Sequence, residues 1–488
     1  MSQIPHIGND EKLQAAEGYT VIDAHEKTSI NGAKFDLAER YVALRHDGRN
    51  HHDALVALGK LLTEWYPGSV WPPGWPTEME GPPTPPPPTP GQVRQLVGPV
   101  RAVGESFGDD TGPRIVHGCT DFGGVVKYHE DRDAALRSLD ITAAHQQYVR
   151  AAWRLNGWKW TTSGLTLDPI RDGWYDEALF GFLAACRDRG LRVMLTCADM
   201  NNWTSAQADE SIRRVAQIAT SVSQTVVWLH EWNELRSIWT PGDENDAQVE
   251  KLRAMSRIWQ QHYPLSMRGL SDPFNQSPDG MRRLGQSPAN VHLIHNVRWS
   301  ISDALRRAFN VRYEGPDQVV EGEPTGPNGS PPDSEFARHV YQQTEDRNHL
   351  FALYTMHVIT GQASTYFNDP ALVSRQPLDS TWGFKELPAL WRQMEIPEDI
   401  GQGVLLHGLK PDAPLQVEGS NADRSDSCSR GNFHIGGISG GDRWRVRAGV
   451  DGVATAFTAD GAVWEGRVSR GQVLPIAGPT PTIVRIIS

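Results

Sequence analysis

The sequence predicts an α/β chain: a (β/α)8 TIM barrel with an N-terminal helical appendage and a small C-terminal antiparallel β domain. Three observations carry that expectation. From Arg114 to Phe367, short β-branched or apolar runs alternate with helical stripes, the pattern of parallel strands joined by crossover helices. The runs number eight, near residues 114, 148, 191, 225, 264, 291, 318 and 363, which is the complement of a closed barrel. The turn after the first run reads GCTDFGG rather than GxGxxG, which argues against a doubly wound dinucleotide-binding sheet.

Taken in order, residues 1–80 form an appendage. Leu37, Tyr41 and Leu44, then Leu55, Leu58 and Leu62, recur at helical spacing and predict two short helices. His46, His51 and His52 lie between them with Asp47 and Asp53; their spacing matches no standard metal site, and a solvated loop is the simpler reading. Residues 81–91, GPPTPPPPTPG, predict a polyproline II spacer and the clearest boundary in the chain. The barrel is expected over 92–402. Within it Leu179, Phe182, Leu183 and Cys186 make a helix face that Gly190 closes, and Ile212, Val215, Ala216 and Ala219 make the next. Over 403–488 the period drops to two. Trp444, Val446 and Ala448 alternate with Arg443, Arg445 and Arg447, Asp460-Gly461 reads as a hairpin turn, and Thr482–Ile487 as a closing strand. This domain reads as a packing module against the barrel, with sugar binding as the alternative.

Composition narrows the function classes. A formal charge of −12 disfavours a nucleic-acid or anionic-membrane surface. No apolar run approaches the ~18 residues of a membrane span. The start, MSQIPHIGNDEKLQ, lacks the basic-then-apolar pattern of a secretory signal, so a cytoplasmic location is expected, or a virion-associated one if the chain is phage-encoded. Cys119, Cys186, Cys197 and Cys428 form no CxxC and predict reduced thiols. Seventeen tryptophans lean toward stacking on sugar rings, although core and hinge packing accounts for most of them.

Two strand ends carry the carboxylates that chemistry needs. Thr225–Leu235 reads TVVWLHEWNEL, a fourth strand that stops at Asn233-Glu234, and the seventh strand runs into EGEPTGP, with Glu321 and Glu323 after it. Strands four and seven stand on different sides of a barrel mouth, so their terminal carboxylates can face each other across it. Glycosidic-bond hydrolysis requires such a pair: one acid protonates the leaving oxygen, and the other attacks or activates water. Glu231 rivals Glu234 but lies at a less favourable position and lacks a preceding amide. At these residues the chain resembles the large clan of retaining (β/α)8 glycoside hydrolases, cellulase-like barrels among them. The resemblance implies that Glu234 is the acid/base, that Asn233 binds the sugar 2-hydroxyl, and that the Glu between Gly and Pro in GEP, Glu323, is the nucleophile. Glu321 is the runner-up by strand position. The entry segment SFGDDTGPRIVHGCTDFGG is similar to the start of such barrels, and the likeness covers roughly residues 100–400. The clan's Asn-Glu-Pro is Asn233-Glu234-Leu235 here and the approach to EGEPTGP is short, so no substrate is carried over.

Other groups are placed around that pair. Arg154, near the end of strand two, could hydrogen-bond the nucleophile and hold it ionised, or serve a structural salt bridge. His295 and Asn296 end strand six and could meet substrate or nucleophile; a satisfied core histidine is the alternative. Trp203, Trp232 and Trp382 sit near strand ends or loops and could stack on sugars, with packing as the competing role. Asp121, after strand one, is placed at the mouth. No metal or organic cofactor is required, and His117 lacks the His-x-His of a metal-dependent hydrolase. The expected partner is an oligo- or polysaccharide, with no nucleic acid and no membrane; residues 1–80 are the candidate surface for a protein partner. A second class stays open: a non-catalytic carbohydrate-binding or structural protein of a larger assembly, such as a phage tail or virion, that keeps a glycosidase-like barrel.

Overall fold

Eight parallel strands close on themselves in the computed structural model of this chain. It describes residues 93–104, 106–156, 166–197, 203–232, 246–271, 291–296, 319–324, 343–366, 382–407, 412–418, 425–438, 445–476 and 480–488, with five short strands before residue 36. The barrel strands are β1 (His117–Thr120), β2 (Tyr148–Asn156), β3 (Arg192–Cys197), β4 (Val227–Trp232), β5 (Met267–Ser271), β6 (Val291–Asn296), β7 (Val319–Pro324) and β8 (Ala363–Tyr366). Each pairs in parallel with the next, and β8 returns to β1 through Ser364–His117, Thr365–Gly118 and Tyr366–Cys119. The eight runs of the sequence correspond one to one with these strands. The consequential difference is β7. Its ladder with β6 continues to Pro324, so Glu321 and Glu323 lie within the strand rather than in the loop after it.

The N-terminal end of the barrel is a packed core. Tyr148, Met194, Trp228 and Val291 fill it, and Phe107 closes it from a small antiparallel sheet, its ring meeting Trp228 edge-on at 5.6 Å. The Tyr148 hydroxyl and Thr365 Oγ1, 2.7 Å apart, tie β2 to β8 over Gly118 of the intervening β1, the register partner of both residues. Gly269 is required there: a Cβ would run into the Leu293 side chain and lie 3.3 Å from Leu229 Cδ1.

Helices α1 (Gly124–Glu130) and α2 (Arg132–His145) follow β1, α3 (Tyr175–Asp188) follows β2, α4 (Ser205–Val222) follows β3 and α5 (Asp246–His262) follows β4. Helices α6 (Gln343–Ile359) and α7 (Trp382–Gln393) flank β8. Local chemistry sets their ends. Asp131 accepts from the Ala134 N–H at 3.0 Å to cap α2, and Thr204 with Gln207 forms a capping box on α4. Gly190, at φ 73°, stops α3. The stripes read from the sequence in α3 and α4 are the faces buried against the barrel.

The C-terminal residues build an antiparallel domain. Its strands are β9 (Val404–His407), β10 (Leu415–Glu418), β11 (Ser425–Arg430), β12 (Phe433–Ile438), β13 (Arg445–Ala448), β14 (Gly452–Thr458), β15 (Gly461–Val468) and β16 (Thr482–Ile487). Six form one sheet in the order β9-β11-β12-β16-β14-β15, and β10 pairs with β13. One core cluster, with Val446, Ala454 and Val484, lies within this domain. Phe433, Ile435, Phe457 and Ile483 share another with Phe351 of α6 and Leu387 of α7, so the domain packs on the barrel.

The chain divides into two units, Met1–Pro88 and Thr89–Ser488. In the first, the described residues are strands: His6–Ile7, Lys12–Gln14 and Ile22–Asp23 in one antiparallel sheet, and Thr28–Ile30 paired with Ala33–Phe35. Runs of two or three residues carry no period and leave no trace in the sequence pattern. The two expected helices and the 81–91 spacer lie outside the described residues. All four cysteines are buried and unbridged. No helix among the described residues is long and apolar enough to cross a membrane.

Candidate active site

Three strands converge on a buried ion pair inside the barrel. Arg150 of β2 donates from Nε to Glu231 Oε2 and from Nη2 to Oε1, both at 2.7 Å. The Thr196 hydroxyl of β3 donates to Oε2 at 2.6 Å, and the Arg150 guanidinium lies 4.7 Å from the Phe122 ring centroid. All three polar side chains are buried. The bidentate geometry is the strong form of this interaction. Glu231 therefore has both oxygens engaged and no solvent access, which removes it as a rival acid. A charged residue in each of two buried apolar runs demands a partner, and that demand is the signal by which Arg150, not considered from the sequence, could have been found.

Strand register fixes where the β7 carboxylates stand along their strand. One ladder runs Ala152, Thr196, Glu231, Gly269, Val291, Val319 across six strands. Val319 is thus the ladder partner of Glu231, and Glu321 and Glu323 stand two and four residues further along β7, paired with Leu293 and His295. Because barrel strands tilt, the ladder drops by about one residue per strand, so these two positions flank the level of Glu231. Asn296 pairs with Pro324. β4 ends at Trp232, and Asn233 and Glu234 are the next two residues in sequence, outside the described residues.

Three residues assigned to sugar contact, Asp121, Trp203 and Trp232, are buried. Asp121 is buried and bound by Lys127 Nζ at 2.7 Å, held beneath α1 rather than facing the mouth. Arg154 and Trp203, assigned separate roles, are one contact: the guanidinium lies 3.3 Å from the indole centroid, and the ring is buried. The reason is an irregularity in β2 between Ala152 and Arg154. It pairs Arg154 with Cys197, which belongs to the helix-layer core, and so breaks the alternation that would align Arg154 with Arg150. Trp232 is buried in that same core, edge-on to His230 at 4.5 Å, which leaves no open face for a sugar. His230 itself accepts a hydrogen bond from Trp153 Nε1–H at 3.0 Å and stacks on Trp259 at 4.4 Å; burial pulls its pKa down to about 3. Trp382 opens α7, and its side chain, like those of His295, Glu321 and Glu323, lies outside the description.

No protein-family model and no curated protein matches the sequence. Among solved structures, one described as a glycoside hydrolase superposes with a TM-score of 0.58 at 11% identity, over 80% of this chain and 96% of the other. The chain shares the fold of that glycoside hydrolase. An α-amylase from Geobacillus thermoleovorans (TM-score 0.49, 9% identity, 77% and 98% covered) and a family 39 glycoside hydrolase from Bacteroides cellulosilyticus (0.45, 10%, 78% and 84%) are further matches. At these identities the likeness is one of fold. In (β/α)8-barrel enzymes the chemistry is carried at the C-terminal ends of the strands; in this chain those ends include Trp232 of β4 and Pro324 of β7.

Proposed function

We propose that this chain is a retaining glycoside hydrolase acting on an oligo- or polysaccharide. The observation that supports it best is the register. It carries Glu321 and Glu323 two and four residues past the ladder partner of Glu231, toward the C-terminal end of β7, while Glu234 follows Glu231 by three residues on the strand-four side. In this reading Glu323 attacks the anomeric carbon as Glu234 protonates the departing glycosidic oxygen. The glycosyl–carboxylate ester that forms is then opened by water, from which Glu234 takes a proton. Asn233 holds the sugar 2-hydroxyl, and His295, the register partner of Glu323, stands beside the nucleophile's strand position. The buried Arg150–Glu231–Thr196 cluster ties β2, β3 and β4 together inside the barrel.

A panel of aryl glycosides and polysaccharides tests this. Glu234→Gln should lose about 10²–10⁴-fold in turnover of substrates with poor leaving groups, and less with activated ones, because only the former need the proton. Glu323→Gln should lose turnover of both. Full loss in Glu321→Gln with activity kept in Glu323→Gln would move the nucleophile two residues down the strand. Wild-type rates in Glu234→Gln and Glu323→Gln alike would sink the pair.

A further inference from the structure

A cavity of about 730 Å³ opens on the outer wall of the barrel, between α1 and α2 on one side and α3 on the other. Ligand sites typically enclose ~300–1,000 Å³. Its walls are made by specific residues. Gly181 leaves room for Tyr128 to cross α3; a Cβ there would lie 2.7 Å from the Tyr128 hydroxyl. The rings of His129 and Trp174 stack 4.1 Å apart and within 4° of parallel. Arg132 lies 5.5 Å from the Tyr128 centroid. Phe180 is 45% exposed, although the helix that carries it buries its other large apolar residues.

The charges around the cavity identify what it takes. Arg132 and Arg189 line it together with Glu177 and Asp188. Arg189 is neutralised by Asp140 at 2.7 Å, and Asp188 by Arg187 at 2.7 Å. A rim with both signs, largely self-compensated, selects neither a phosphate nor a polycation. The exposed Phe180 ring can stack on the C–H face of a pyranose, with the His129–Trp174 stack as a further part of the wall, and guanidinium and carboxylate groups can hydrogen-bond its hydroxyls.

We propose that this cavity is a second carbohydrate site, which holds a neutral oligosaccharide stretch of the polymer that the barrel cleaves. The identity of the ligand class rests on the glycoside-hydrolase reading. The site lies between helices on the outer wall, away from the lumen, so it tethers substrate rather than contributing to bond cleavage.

Native gels cast with hydroxyethyl cellulose, xylan, galactomannan or soluble starch test it on the full chain. At least one polymer should retard the wild type, and Phe180→Ala and Trp174→Ala should each lose that retardation several-fold. Turnover of a small aryl glycoside should stay unchanged in both. Phe180 is exposed, so its variant should keep the wild-type thermal midpoint and decides the matter if Trp174→Ala does not fold. Absence of retardation in all four gels, or wild-type retardation in Phe180→Ala, overturns the proposal. Glu234→Gln, run alongside, should be retarded like the wild type. If the wild type cleaves nothing yet its retardation depends on Phe180, the site stands and the catalytic reading falls.

Discussion

At the scale of residues, the barrel's least forgiving feature is the Arg150–Glu231 pair. Both ends are buried, so removing one strands the other's charge in a low-dielectric interior. Arg150→Met should cost about 3–5 kcal/mol in urea unfolding, and the double variant Arg150→Met, Glu231→Leu should recover most of it. An unchanged urea midpoint in the single variant would show that solvent reaches Glu231. Buried histidines set the acid limit. Burial lowers His117 to about 4, and His230 and His357 to about 3. The unfolded chain binds these protons near pH 6.5 and the folded chain does not, so stability is full above that pH and falls as pH drops toward 3–4. Each histidine contributes a slope of ~1.4 kcal/mol per pH unit. Between pH 6.5 and 5 the urea midpoint should therefore decline, and less steeply in His230→Phe; equal slopes would remove His230 from this account. The candidate glutamates are legible in the sequence because carboxylates at strand ends are conspicuous. The misassigned tryptophans are not, since sequence gives a ring's position along a strand but not which face of it is covered.

At the scale of elements, the eight strands are legible because β-branched runs between helical stripes admit few other folds. Their ends are less so. β7 outlasts its Val319-Val320 start because the whole of β6 offers it hydrogen-bond partners, a tertiary effect that no local pattern records. The slip in β2 is equally silent: YVRAAWRLN reads as continuous alternation, and the irregularity between Ala152 and Arg154 emerges only from pairing with β3. The helix starts, by contrast, are set by local chemistry. Thr204 and Gln207 satisfy each other's groups at the first turn of α4. Thr204→Ala should cost about 1 kcal/mol in thermal or urea unfolding, with Thr204→Ser close to wild type. A loss in Thr204→Ser as large as in Thr204→Ala would point to packing of the methyl group instead.

At the scale of the whole molecule, the C-terminal domain is part of the barrel's own core. Phe433, Ile435, Phe457 and Ile483 pack against α6 and α7, and Arg485 reaches from β16 to Glu395, just after α7, at 2.6 Å. A chain ending at residue 402 should expose that apolar face and aggregate on expression; recovery of a soluble, cooperatively unfolding barrel would contradict this. The alternating run in residues 445–448 signals strands, but whether a β domain docks or dangles depends on what its outward face meets, which pattern alone does not say. The shared core also bears on descent. A domain hung on a linker can be gained, lost or traded by recombination without harm to its neighbour. Here a crossover near residue 402 would divide one hydrophobic cluster between two parents, and each half would inherit a face shaped for a partner it no longer has. Barrel and β domain are therefore bound to be inherited together and to drift in step, residue against residue across their seam.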